Sequence, residues 1–182
     1  MAEGKKTDLR VIRTRMMLKA AFKRLVVRLP KDQITVTALA DETPINRRTF
    51  YLHYTSVDEL LMDIESDYAD ETIEQLDEIQ GKLADGILVF YRYMNTDDQA
   101  MQKLLFGDGY YPFFKKYTDD VLSCDFFQKY YRMTKFEDLT RGYFDASVEI
   151  FLKWRNDENK QMTLETLATE TAKLLMNGRG VS

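Results

Sequence analysis

With 182 residues, 45% of them hydrophobic, and a net charge of −4, the chain supports one or two domains with cores of their own. No run approaches the roughly 20 apolar residues of a membrane span. The opening MAEGKKTDLR lacks the apolar stretch of a secretory signal, and the single cysteine, Cys124, closes no internal disulfide, so a reducing cytoplasm is expected.

Helical spacing dominates from the start. Leu18, Ala21, Phe22 and Leu25 fall at i, i+3, i+4 and i+7, which predicts an amphipathic helix over about residues 9–29, stopped by Pro30. Thr35 is a natural N-cap for a short second helix carrying Leu39 and Ala40. Thr43-Pro44 ends it, because a residue before proline is pushed out of the α region. Asn46 caps a third helix running to about Tyr54, and Ser56-Val57-Asp58-Glu59 reads as a capping box opening a fourth that reaches about Ile79. Further helices are expected at about 82–95, 98–106, 110–131, 136–156 and 163–176. Sustained β alternation is absent, so the class is all-α, with about nine helices.

Helices two and three are short and closely joined. That is a helix-turn-helix arrangement, whose second helix enters the DNA major groove. The residues of helix three suit that task. Phe50 and Tyr54, four apart, are expected to face inward. Arg47, Arg48, Tyr51 and His53 face outward. Arginine can fork onto guanine O6 and N7, and Thr49 offers a hydroxyl together with a methyl for thymine. Tyr51 and His53 can donate to phosphates, which fixes register. The charge distribution agrees. Residues 1–56 carry 12 Lys/Arg against 5 Asp/Glu, a surplus of +7, while residues 57–182 carry 14 against 25. A basic head on an acidic body is expected when only one part meets a polyanion.

The motifs TVTALA (35–40), INRRTFYLHY (45–54) and SVDELL (56–61) closely resemble the DNA-binding domain of the tetracycline-repressor (TetR) family. LKAAFKRL (18–25) stands in the place of that family's first helix. The resemblance covers about residues 10–61; the rest matches in size and helical character alone. It implies a homodimer that presents helix three to successive major grooves of a near-palindromic operator on double-stranded DNA, in a bacterial cytoplasm. Residues 1–56 would be the head. Residues 57–182 would dimerise and enclose a pocket for an unknown small-molecule effector whose binding releases DNA. Carried across by position, Thr37, Arg47, Arg48 and Thr49 would lie nearest bases, and Thr35, Tyr51, His53 and Ser56 nearest phosphates. Tyr93, Phe106, Tyr110, Phe114 and Phe127 would line the pocket.

Two residues depart from the family pattern. Pro44 stands where the family places Gly or Asn, which allow a positive φ that proline cannot adopt. Val57 stands where the family has a phosphate-binding lysine. Arg48, or the basic leader with Lys5, Lys6 and Arg10, is expected to compensate.

Residues 80–155 are rich in aromatic rings, which suits core packing, a ring-lined pocket or an apolar dimer face. Two stripes, Phe144–Val148–Phe151–Leu152 and Leu164–Leu167–Ala168–Thr171–Leu174–Leu175, read as a four-helix dimer interface, with an intrachain core as the alternative.

Other functional classes remain open. The same head serves an activator or a regulator controlled by a partner protein. A helical adaptor that has lost DNA binding is a third reading. An enzyme is not expected: residues 57–182 contain no histidine, and their carboxylates read as solvated helix faces. A Cys124–His53 nucleophile pair is disfavoured because Asp125, Phe126 and Phe127 raise a thiol pKa. One histidine and one cysteine also fall short of a structural zinc site, so neither a metal nor another cofactor is expected.

Overall fold

The computed structural model describes residues 9–132 and 137–177. In the described residues the chain forms ten α-helices: α1 (Leu9–Arg28), α2 (Val36–Asp41), α3 (Arg47–Tyr51), α4 (Val57–Asp77), α5 (Leu83–Met94), α6 (Gln99–Phe106), α7 (Tyr111–Leu122), α8 (Asp125–Tyr131), α9 (Glu137–Asn156) and α10 (Leu164–Asn177). The leader bearing Lys5 and Lys6 lies outside the described residues.

The helix expected over 110–131 is two helices, α7 and α8. The break falls at Ser123-Cys124, where Cys124 turns extended (φ −69°, ψ 163°) and becomes the first residue before α8. The Cys124 carbonyl then accepts from Phe127 and Gln128 amides at 3.1 and 2.9 Å. Apolar periodicity continues across the break, so the pattern reads as one helix while the backbone turns.

The helices fall into two compact units. One comprises residues up to Ser66 together with Asp98–Phe114; the other comprises Asp67–Asp97 and the residues from Lys115 onward. The first unit is sealed by Leu18, Phe22 and Leu25 of α1, Leu39 of α2, Phe50 of α3 and Leu60 of α4, each at most 5% exposed. α6 packs against α1 in this unit. Lys103 of α6 donates to the Val27 carbonyl at 2.8 Å, giving a donor to one of the last α1 carbonyls, which lack helical partners. Lys31 donates to the Gly109 carbonyl at 3.2 Å. Gly109 has φ +82°, a left-handed turn that a glycine adopts without strain.

In the second unit α10 lies along α5, the most extensive helix–helix contact among the described residues. Tyr91 of α5 is fully buried and donates to the Ser147 carbonyl at 2.8 Å, with the Thr171 hydroxyl at 3.3 Å. Burial pushes its phenol up to about 12. Phe144, Val148, Phe151, Leu167, Ala168, Thr171 and Leu175 are all buried within the single chain. The two stripes read as a dimer interface are therefore largely intrachain core. α5 is apolar over most of its surface and needs covering by its own chain. Leu174 alone of the stripe residues is well exposed, at 62%.

Candidate nucleic-acid interface

The head is built by local capping. Thr35 is extended, and its hydroxyl accepts from the Ala38 amide at 3.1 Å, opening α2. Asn46 does the same for α3, its side-chain oxygen accepting from the Thr49 amide at 2.9 Å. Ser56 Oγ accepts from the Glu59 amide at 3.1 Å. The reciprocal half of the expected capping box is shifted by one residue: the Glu59 carboxylate takes the amide and hydroxyl of Thr55 rather than the Ser56 amide. These hydrogen bonds hold the Glu59 carboxyl below its usual range.

Pro44 is accommodated without any left-handed residue. Among the described residues no non-glycine has positive φ. Thr43 replaces that device: its hydroxyl donates to the Leu39 carbonyl at 2.9 Å and accepts from the Ile45 amide at 3.3 Å. One side chain thus closes the end of α2 and directs the chain into α3 (an ST-type turn). Ile45 is then buried against the head core, 6% exposed.

On the inner side of α3, Phe50 is 1% and Tyr54 3% exposed, with ring centroids 5.8 Å apart. The Tyr54 hydroxyl donates to Asp63 of α4 at 2.6 Å and accepts from Arg15 Nε of α1 at 3.2 Å. Arg15 and Lys19 also pair with Asp63, at 2.5 and 2.8 Å. Burial pushes the Asp63 carboxyl up, but the three donors Arg15, Lys19 and Tyr54 outweigh it and hold the group at about 2. Burial, then the Asp63 bond, raises the Tyr54 phenol. This cluster ties the end of the helix-turn-helix to both neighbouring helices.

The outer side is open. Arg47, Arg48 and Tyr51 are exposed, and no ion pair binds either arginine among the described residues. Thr37, Thr43, Asn46, Arg47 and Arg48 line one shallow cleft of about 720 Å³. Thr37 of α2 and the two arginines of α3 are thus brought together. Thr35 and Ser56 are exposed at helix starts, their hydroxyl oxygens used as caps and their protons available to an anion. His53 is half-buried. Thr49 is half-buried, and its hydroxyl donates to Asn46 at 3.1 Å; its methyl is the part left for a base. Arg10 is exposed in the first turn of α1, and Val57 is half-buried at the first position of α4.

The five positions assigned to a pocket divide between the units. Phe106, Tyr110 and Phe114 belong to the first, Tyr93 and Phe127 to the second. Phe106 and Phe114 pack ring to ring at 5.7 Å. Tyr110 is 4% exposed, lies under the Lys31 ammonium at 5.6 Å from its ring centroid, and has no hydrogen-bond partner for its hydroxyl among the described residues. Burial pushes its phenol up to about 12. Tyr93 is half-buried, and its hydroxyl donates to the Glu71 carbonyl at 3.2 Å. Phe127 is fully buried among Phe90, Phe126 and Phe144.

Sequence reasoning missed Thr43 and Asp63. The Thr-Pro pair was a signal for the first. The second is acidic on a helix rich in acids, and nothing local marks it.

Cys124 is buried, and burial raises its thiol pKa. No group of three or more His, Cys, Asp or Glu among the described residues is placed to hold a metal ion, and no helix there is long and apolar enough to cross a membrane.

Two short, capped helices joined by a tight turn, with one face sealed and the other open and basic, define a helix-turn-helix fold. The comparisons with solved structures carry this to the whole chain. The structure is similar to a TetR transcriptional regulator from Streptococcus agalactiae 2603V, with a TM-score of 0.73 and 20% identity, over 92% of this chain and 96% of that one. It is also similar to the dihydroxyacetone kinase operon activator DhaS, with a TM-score of 0.58 and 21% identity, over 93% and 98% of the two chains. No protein-family profile and no curated protein sequence matches the chain. The fold is that of the TetR-type regulators.

Proposed function

We propose that the chain is a dimeric, sequence-specific DNA-binding transcription regulator: a repressor released from its operator by a ligand. The observation that carries this reading is the open face of α3. Arg47 and Arg48 stand exposed there, free of acidic partners among the described residues, on a helix whose opposite face is fixed by Phe50 and Tyr54. Residues 1–56 are assigned the DNA contacts. Thr37, Arg47, Arg48 and Thr49 address bases; Thr35, Tyr51, His53 and Ser56 address phosphates. Residues 57–182 are assigned dimerisation and effector binding. The buried Tyr110 hydroxyl, without a hydrogen-bond partner among the described residues, supports an effector with a polar atom, because leaving such a group unsatisfied costs about 1–3 kcal/mol. The pocket role of Tyr93, Phe106, Phe114 and Phe127 rests on the resemblance.

Selection from a random pool of DNA duplexes at two salt concentrations tests the reading. An inverted repeat should emerge, with half-sites about 34–36 Å apart or a multiple of that. Affinity should fall steeply as salt rises, because phosphate contacts release counterions. Weak retention with no enriched motif would leave a helical adaptor as the function.

An activator is the second reading, favoured by the likeness to DhaS, itself described as an operon activator. Deleting the gene separates the two: transcription beside the operator rises for a repressor and falls for an activator.

A further inference from the structure

Leu52 is 75% exposed, more than any other large apolar side chain among the described residues. A lone exposed leucine is ordinary, but the setting of this one is not. It follows α3 directly and continues the helical path (φ −76°, ψ −16°), its amide bonded to the Thr49 carbonyl at 3.2 Å. It therefore stands four residues after Arg48 on the same helical face. Tyr51 beside it is 53% exposed, and the buried Phe50 ring, edge-on to Tyr51 at 5.5 Å, holds that ring from behind. The face presented to a duplex is thus a guanidinium followed by an isobutyl group on a fixed backbone.

We infer that Leu52 is a specificity-determining residue that reads the C5-methyl group of a thymine in the major groove. The inference rests on the DNA-binding reading above and adds a second kind of contact to it. In the major groove, thymine is the base that offers an apolar methyl. Four helical residues advance about 6 Å, close to two base-pair steps of 3.4 Å. The thymine therefore lies within about two base pairs of the guanine read by Arg48.

The test uses the full chain and the operator recovered by selection. Each thymine is replaced in turn by deoxyuridine, which lacks only the methyl. The wild-type protein should bind roughly fourfold more weakly at one thymine, the worth of one buried methyl. That thymine should sit within about two base pairs of a guanine whose contribution vanishes in Arg48→Ala. Leu52→Ala should bind the thymine and deoxyuridine duplexes equally, while Leu52→Met retains the discrimination. All variants should melt with the wild type, because the side chain touches solvent. Three results overturn the inference: undiminished thymine discrimination in Leu52→Ala, no methyl-sensitive thymine in that window, or discrimination abolished by Thr49→Ser instead. A chain that selects no motif and shows no salt slope fails at the DNA-binding reading itself, and the inference falls with it.

Discussion

Asp63 gathers three donors, Arg15, Lys19 and Tyr54, and its carboxyl is held at about 2. Its ordinary value is near 4. A group depressed in the folded state contributes stability above its unfolded pKa and loses it as pH falls. Asp63 should therefore contribute about 2 kcal/mol at neutral pH, lost between about pH 4 and pH 2. Acid titration of the folded fraction should show that loss, and Asp63→Asn should flatten it. Tyr110→Phe should behave in the opposite sense to most core changes. It deletes a buried hydroxyl that has no partner among the described residues, so the melting temperature of the effector-free protein should hold or rise. Arg47→Ala and Arg48→Ala should each weaken operator binding roughly 5- to 150-fold with unchanged melting, the worth of a bidentate base contact. The exposed arginines and the caps Thr35 and Asn46 were legible in the sequence, because each acts over three or four residues. Asp63 was not: its partners lie 9, 44 and 48 residues away, and only the packed helices bring them together.

At the level of elements, capping governs where helices begin. Asn46→Ala removes the acceptor of both the Thr49 amide and the Thr49 hydroxyl. It should cost about 1 kcal/mol in thermal stability and weaken operator binding in addition, because α3 then frays at the arginines. Pro44 was readable as a difficulty but not as a solution. The Thr43 hydroxyl solves it by bridging two backbone groups whose proximity exists only once the turn forms. The α7–α8 break was hidden for a related reason: Phe126, Phe127, Tyr130 and Tyr131 keep a helical apolar rhythm after Leu122, so hydrophobic spacing carries no mark of the bend. Gly86 shows what α8 demands of its neighbour. A Cβ at Gly86 would stand 2.0 Å from the Phe126 ring. Gly86→Ala should therefore destabilise by about 1–3 kcal/mol through overpacking, despite alanine's better helix propensity, and Phe126→Leu in the same chain should recover part of the loss.

For the whole molecule, the dimer is the element of the proposal most open to direct measurement. With the Phe144 and Leu167 stripes consumed by intrachain packing, the apolar surface left on α9 and α10 includes Tyr143, Leu174 and Met176, 40%, 62% and 43% exposed. Sedimentation should give twice the 21.4 kDa of one chain. Leu174→Glu should move the protein toward the monomer with little change in melting, and should lower operator affinity by removing one of two half-site contacts. The fold class was legible from periodicity throughout. The composition of the two compact units was not, because α6 joins the unit of the helix-turn-helix from more than forty residues further along the chain than α4 begins. Lys103 on the Val27 carbonyl and Lys31 on the Gly109 carbonyl bridge 76 and 78 residues of sequence, one lysine donated from each side. This bears on how such a gene can be recombined. A single crossover placed after α3 would give a chimera whose α1 meets a foreign α6, with two lysine-to-backbone bonds left to chance. If α3 contacts DNA as proposed, exchanging specificity between relatives is therefore safer by substituting a few residues on its open face than by transplanting the N-terminal segment whole.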